Sequence, residues 1–128
     1  MAALSDFAED LLLDWVMTTG TATRPTTWYV ALYTAAPSDS GGGTEVSTGG
    51  YARQSVTFAA ASGGTTSNSG SVSFTASAAN YGTVTHMGIF DASTSGNLIW
   101  HGALTASKVI DDGDTLQFDA GNIDLTLA

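Results

Sequence analysis

The sequence predicts a mainly β protein: an antiparallel β-sandwich or barrel-like domain with one N-terminal amphipathic helix. Three observations carry this. Apolar residues recur at every second position from Thr27 onward. Clusters of Gly, Ser, Asn and Asp break those runs at short intervals. A helical period is confined to the segment before Gly20.

The elements follow in order. Leu4, Phe7, Leu11, Leu12, Trp15 and Val16 repeat at three and four residues, with the acids on the other face. Ser5 or Asp6 can cap the start, early acids suit the helix dipole, and Gly20 is a stop. Such a helix packs on a sheet or docks on a neighbouring subunit. Trp28, Val30 and Leu32 then alternate with Tyr29, Ala31 and Tyr33. Further strands are expected at Arg53 to Ala59, with Val56 and Phe58 on one side, and around Val72, Phe74 and Ala76. Thr83 to Phe90 and Leu98 to Leu104 form a hairpin around a Ser/Thr/Gly turn. Lys108 to Ile110, Thr115 to Phe118 and Ile123 to Leu127 complete the set. One domain is expected over residues 1–128, with the helix at about 5–18, the β-rich part at 27–128 and a flexible loop at 35–50.

Charge excludes several functions. Twelve acids face three bases, Arg24, Arg53 and Lys108, for a formal net charge of −9. Wrapping a phosphate backbone needs clustered Lys and Arg, so no nucleic-acid partner is expected. Anionic membrane surfaces would repel the chain, and no apolar run is long enough to span a bilayer. The first residues lack a basic n-region, so the mature chain is expected to start near Met1 after synthesis in a cytoplasm. Cysteine is absent, which removes disulfides and thiolate sites.

No constellation points to catalysis, a cofactor or a metal. Pairing Phe90 with Leu98 in a regular hairpin sets Met87 against His101 and His86 against Gly102. The two histidines then face opposite sides of the sheet and share no metal. Asp111-Asp112-Gly113-Asp114 matches no EF-hand spacing and suits a turn. Gly41-Gly42-Gly43 lacks the lysine of a phosphate cradle. No Gly-x-Ser-x-Gly elbow occurs. Trp28, Tyr29, Tyr33, Tyr51, Tyr81 and Trp100 suit a core and interfaces better than a sugar-binding surface.

Several stretches carry a resemblance. They are Leu4-Ser5-Asp6-Phe7-Ala8-Glu9, Val30-Ala31-Leu32-Tyr33-Thr34, Thr44-Glu45-Val46 and Gly49-Gly50-Tyr51-Ala52-Arg53-Gln54. The hairpin adds Gly82 to Asp91 and Gly96 to Leu104, and Ala120-Gly121-Asn122 follows. In this order they resemble a family of small structural proteins of tailed bacteriophages and prophages, often labelled phage tail fibre proteins. Asp10-Leu11 departs from the Asn-Lys that relatives tend to carry, and Val72 to Ala79 matches poorly. The resemblance implies a non-enzymatic virion protein with no catalytic residues to carry over.

Two virion roles compete. A fibre usually needs an anchor, a shaft and a tip, and this chain holds no shaft repeat. A small acidic domain suits capsid decoration, as a cement protein on the outer shell, and decoration is the preferred expectation. A tail-fibre or tail-tip component is the alternative, and a carbohydrate-binding module the third. Expected partners are the major capsid protein or tail proteins of the same virion. A homotrimer would cover open strand edges. The helix Ser5 to Thr18 or the loop Ala35 to Gly50 is expected to make contact, with Phe7, Leu11, Trp15, Pro37, Tyr51 and Arg53 as interface residues.

Overall fold

A computed structural model describes residues 2–127. The elements are β1 (Ala2–Leu4), α1 (Asp6–Met17), β2 (Tyr29–Ala35), β3 (Thr44–Glu45), β4 (Gln54–Ser55), β5 (Thr65–Ser67), β6 (Val72–Thr75), β7 (Gly82–Phe90), β8 (Leu98–Ile110), β9 (Thr115–Phe118) and β10 (Asp124–Thr126). The main sheet runs β1-β8-β7-β2, and β3 and β4 share the far edge of β2. Every pairing is antiparallel. Two ribbons, β6–β9 and β5–β10, form a second layer.

Alternation along β2 sorts the two faces. Val30 and Leu32, with Ile89 opposite Val30, join Val72, Phe74, Leu116 and Leu125 of the ribbons, and Ile123 just before β10, in the main core. Ala31 and Tyr33 point the other way and form a smaller cluster with Phe90 and Leu98. This is the inner and outer alternation of a sandwich strand. The second layer is tied by Asn68, which is 2% exposed. Its Nδ2 donates to the carbonyls of Gly70 and Asp119, and its Oδ1 accepts from the Ile123 amide. Every hydrogen-bonding site used there lies between elements, so one buried polar side chain sets the β9–β10 connection.

The structure corrects the sequence reading in several places. Leu4 belongs to β1, paired with Trp100, rather than to the helix. Lys108 to Ile110 is the end of the long β8. Only Gln54–Ser55 of the expected strand from Arg53 to Ala59 is ladder; Phe58 makes an isolated bridge to Asn68. The segment 35–50 holds β3 and a tight turn in which Ser38 and Gly41 exchange backbone hydrogen bonds. β1, β3 and β5 are too short to display a period.

The hairpin register carries the largest correction. Phe90 pairs with Leu98 as expected, but Ile89 pairs with Trp100, so Ile99 is an extra residue in β8. Beyond this bulge the pairs are Gly88 with His101, Met87 with Gly102 and His86 with Ala103. His86 and His101 therefore share the face of Tyr33 and Phe90, and the expectation of opposite faces fails by one residue. His86 Nδ1 bonds to Thr85, and His101 Nε2 lies 2.7 Å from Asp39 Oδ1. The second contact pins the turn after Pro37 onto β8. Among the described residues, no three His, Cys, Asp or Glu gather as a metal site.

Candidate interaction surface

Helix α1 carries five of the seven large apolar side chains left exposed among the described residues; the other two are Val109 and Leu127. Ser5 is its N-cap: its side chain accepts from the Ala8 amide at 3.3 Å and donates to the Leu98 carbonyl. The Ser5 and Asp6 amides bond to the carbonyls of Ile99 and Asp39. The first turn is therefore anchored to β8 and to the turn after Pro37. The helix ends at Met17, three residues before Gly20, with the Thr18 hydroxyl on the Asp14 carbonyl.

Beyond that anchor the helix lifts away from the sheet. Ala8 is its only buried residue. Leu13, Trp15, Val16 and Met17 are 58%, 67%, 64% and 73% exposed. Beneath the helix lies a groove of about 420 Å³. Ala8, Leu11, Leu12 and Trp15 wall one side, and Trp28, Ile99 and Trp100 line the sheet side. An apolar patch concentrated on one element is the usual mark of an interaction site.

The expected interface residues divide into two groups. Phe7, Leu11 and Trp15 lie on this helix; Phe7 and Trp15 are exposed and Leu11 is half-buried. Pro37 is buried and Tyr51 half-buried, and the Arg53 side chain is only 8% exposed. Tyr51 and Arg53 hold the fold. Tyr51 stacks on Phe74, meets Tyr81 edge-on, donates to Glu45 and accepts the Leu32 amide at 3.0 Å. That last bond fills the gap between β3 and β4, where the edge of β2 has no strand beside Leu32.

Arg53 lies over the Phe90 ring at 3.6 Å and donates to Glu45 and to the carbonyls of Ala92 and Ser95. Burial alone would raise the pKa of Glu45. Hydrogen bonds from Arg53 and Tyr51, with the Arg53 charge, outweigh it and hold the carboxyl below its ordinary value. Burial, helped by the Glu45 charge, pushes Tyr33 up to about 12. Burial first, then the bond to Glu45 and its charge, lifts Tyr51 further still, against the pull of the Leu32 amide. The groups are neutral phenols and a satisfied ion pair. They offer nothing poised for proton transfer.

Sequence reasoning missed Leu13, Val16 and Met17. Leu13 and Met17 sit on the acidic face, one turn apart, where apolar residues have no packing role inside the chain. That misplacement is the signal that could have found them. The aromatics assigned to core and interfaces rather than to sugar binding are largely covered: Tyr33 and Tyr81 are buried, Tyr29 and Tyr51 half-buried, and Trp28 and Trp100 half-buried where they line the groove. Asp112 and Asp114 accept the amides of Ala78 and Asp111, as turn residues do.

The family model described as Podophage GP4 fiber I protein gp80 matches residues 3–126. The chain belongs to this family. It is thus a structural protein of a bacteriophage virion, in agreement with the resemblance read from the stretches above, and its family carries the fibre label. Fibre proteins of this kind are generally non-enzymatic. Membership places the protein among other virion proteins, with which it associates. No curated protein matches the chain. No helix of the described residues is long and apolar enough to cross a membrane.

Proposed function

We propose that the protein is a tail-fibre component that fastens to other virion proteins through α1. The single observation that carries this is the uncovered apolar end of the helix, where Leu13, Val16 and Met17 stand in solvent and Trp15 rims an open groove. A receptor-binding tip would be expected to display aromatic or polar contact residues on exposed loops. Here most aromatics belong to the two clusters, the exposed ones, Phe7 and Trp15, lie on α1 rather than on loops, and the concentrated apolar surface is suited to assembly. The fibre label of the family weighs in the same direction, against the decoration role preferred from the sequence. The homotrimer belongs to the same proposal. The edges of β1 and of the short β3 and β4 are open in one chain, and a ring of copies would cover them.

The test is to count copies of this protein against the major capsid protein in purified virions, and to locate it by antibody labelling in electron micrographs. A fibre component gives a small number of copies, with label at the tail vertex. Label over the whole shell, with copies in the many tens to hundreds, would overturn the reading in favour of decoration.

A further inference from the structure

On the outer face of the main sheet, beside the first turn of α1, lies a cavity of about 470 Å³ that shares no lining residue with the groove. Phe7, Phe90 and Leu98 give it apolar walls. Tyr33 lines it as well and is only 4% exposed. The Tyr33 hydroxyl makes no hydrogen bond among the described residues, where no fully enclosed side-chain nitrogen or oxygen lacks a partner. That hydroxyl therefore meets open space, and this cavity is the space beside it. Three further elements add polar groups: Asp6 from α1, Asp39 from the turn after Pro37 and Asn97 from the hairpin turn. Asp39 Oδ1 is taken by His101, which leaves Oδ2 unused. Asn97 Nδ2 donates to Asp91 Oδ2, which leaves Asn97 Oδ1 unused. The Asp6 carboxylate makes no hydrogen bond among the described residues and is exposed.

We propose that this cavity binds an organic cation, an ammonium or guanidinium group carried on an apolar stem. The site goes beyond the attachment role of α1 and does not depend on it. The unused groups decide the chemistry. Two carboxylates and the Asn97 carbonyl only accept, and the Tyr33 hydroxyl has lone pairs to offer, so the ligand that satisfies them brings N–H donors. No Lys, Arg or His lines the cavity. The positive groups nearby are already matched. Arg53, over the Phe90 ring, is paired with Glu45, and His101 with Asp39. The positive end of the helix dipole is offset by Asp6 and Glu9 in the first turn. An anion would be repelled by both carboxylates. A metal ion would need more ligating oxygens, and no three His, Cys, Asp or Glu gather among the described residues. An organic cation instead uses the apolar walls, with its stem along Phe7 and Leu98 and its charged head at Asp6 and Asp39.

The experiment follows backbone amide signals of the full chain by nuclear magnetic resonance at about 20 mM salt, where screening is weak. The probes are acetyl-arginine amide and its neutral isostere acetyl-citrulline amide. Acetyl-lysine amide, methyl glucosaminide and neutral methyl glucoside complete the series. The arginine probe is expected to shift the amides of Asp39, Ser40 and Asn97 saturably, and to bind at least about fivefold more tightly than the citrulline probe. Asp6→Asn should weaken it about two- to fivefold, as loss of one partly exposed charge does. Asp6→Asn with Asp39→Asn should erase the preference for arginine over citrulline. Asp124→Asn removes one charge from β10, on the other layer, and should leave the binding unchanged. Tyr33→Phe should weaken the cations while its spectrum elsewhere stays that of the parent. The two kinds of amine separate the sources of the cation. Tighter binding of the arginine or lysine probe assigns the cavity to a basic side chain of a partner protein, and tighter binding of the glucosaminide assigns it to an amino sugar. Equal binding of arginine and citrulline, tighter binding of the neutral glucoside than of any cation, or no saturable shift at these amides would overturn the proposal. So would a preference for arginine that survives the double substitution.

Discussion

Arg53 and Glu45 form a two-pronged ion pair, with Nε to Oε2 and Nη2 to Oε1 both at 2.9 Å. The remaining Nη1 donates to the carbonyls of Ala92 and Ser95 in the β7–β8 turn. One side chain thus joins the segment before β4, the end of β3 and the hairpin turn, over the Phe90 ring. Arg53→Ala is expected to cost about 2–3 kcal/mol, somewhat less than breaking a fully buried pair, because Glu45 keeps 26% exposure. Arg53→Lys should recover little, since an ammonium cannot span both oxygens and the two carbonyls at once. Urea denaturation measures both. An Arg53→Lys variant as stable as the parent would refute the geometric account.

The same cluster sets the pH limits of stability. Glu45 titrates below its ordinary value of 4.5 in the folded chain. On acidification the unfolded chain takes up the proton first. Its contribution is therefore present above about pH 4.5 and disappears as pH falls through the folded value. Tyr33 shifts the other way, from 10.0 to about 12. The unfolded phenol ionises first on the alkaline side, so this contribution is whole below pH 10 and is lost as pH rises toward about 12. Tyr51 adds to the alkaline loss with the same sign. Urea midpoints followed against pH should be flat near neutrality and fall at both ends. Tyr33→Phe should flatten the alkaline limb; an unchanged limb in that variant would assign the loss elsewhere.

Gly88 tests the packing of the outer face. It lies in β7 opposite Ala31 and His101, and a Cβ there would stand 2.9 Å from Leu98 Cδ1 and 3.2 Å from Tyr33 Cε2. Its backbone is ordinary, so the obstacle is space alone. Gly88→Ala is expected to destabilise by roughly 1–3 kcal/mol through overpacking. Gly70→Ala, where a Cβ meets nothing within 4 Å, is the matched control and should change stability little. Thermal unfolding of the pair reads the difference. Equal melting temperatures would mean that Leu98 and Tyr33 yield without cost.

Much of the fold was legible because the long strands have room for a period. β2 and β7 bury alternate residues in two different clusters, and Val30, Leu32 and Ile89 announce it. Ser5 was readable as a cap because its residue type suits a helix start. The histidine faces were misread because the bulge at Ile99 leaves no trace in residue type, yet it inverts the pairs from Ile89–Trp100 to His86–Ala103, before a second shift at Val84. The partners of Tyr51 and Arg53 were not readable either. Both sit in irregular chain, and their contacts with Leu32, Ala92 and Ser95 depend on where the β2 edge and the hairpin turn meet. At the interaction surface, the helix was evident and its exposure was not. How far a helix lifts from a sheet depends on bulky groups beneath it, here Trp28 and Trp100, which come from elements distant in sequence.

Ser5 couples the helix to the hairpin and gives a sharper test than an ordinary cap. It is 1% exposed, and its hydroxyl works twice, accepting from the Ala8 amide and donating to the Leu98 carbonyl. Ser5→Ala is expected to cost about 2–3 kcal/mol, the loss of a cap plus that of a buried bond. At a solvent-facing cap aspartate would substitute freely. Here a carboxylate can still accept from Ala8 but has no proton for Leu98, and it would set a charge against that carbonyl in a buried position. Ser5→Asp should therefore be at least as damaging as Ser5→Ala. Hydrogen exchange gives the location: amides of α1 should lose protection in both variants while those of β6 and β9, on the far layer, keep theirs. Ser5→Asp with parent-like protection in α1 would show that the cap alone holds the helix, and that the link to Leu98 contributes nothing to its attachment.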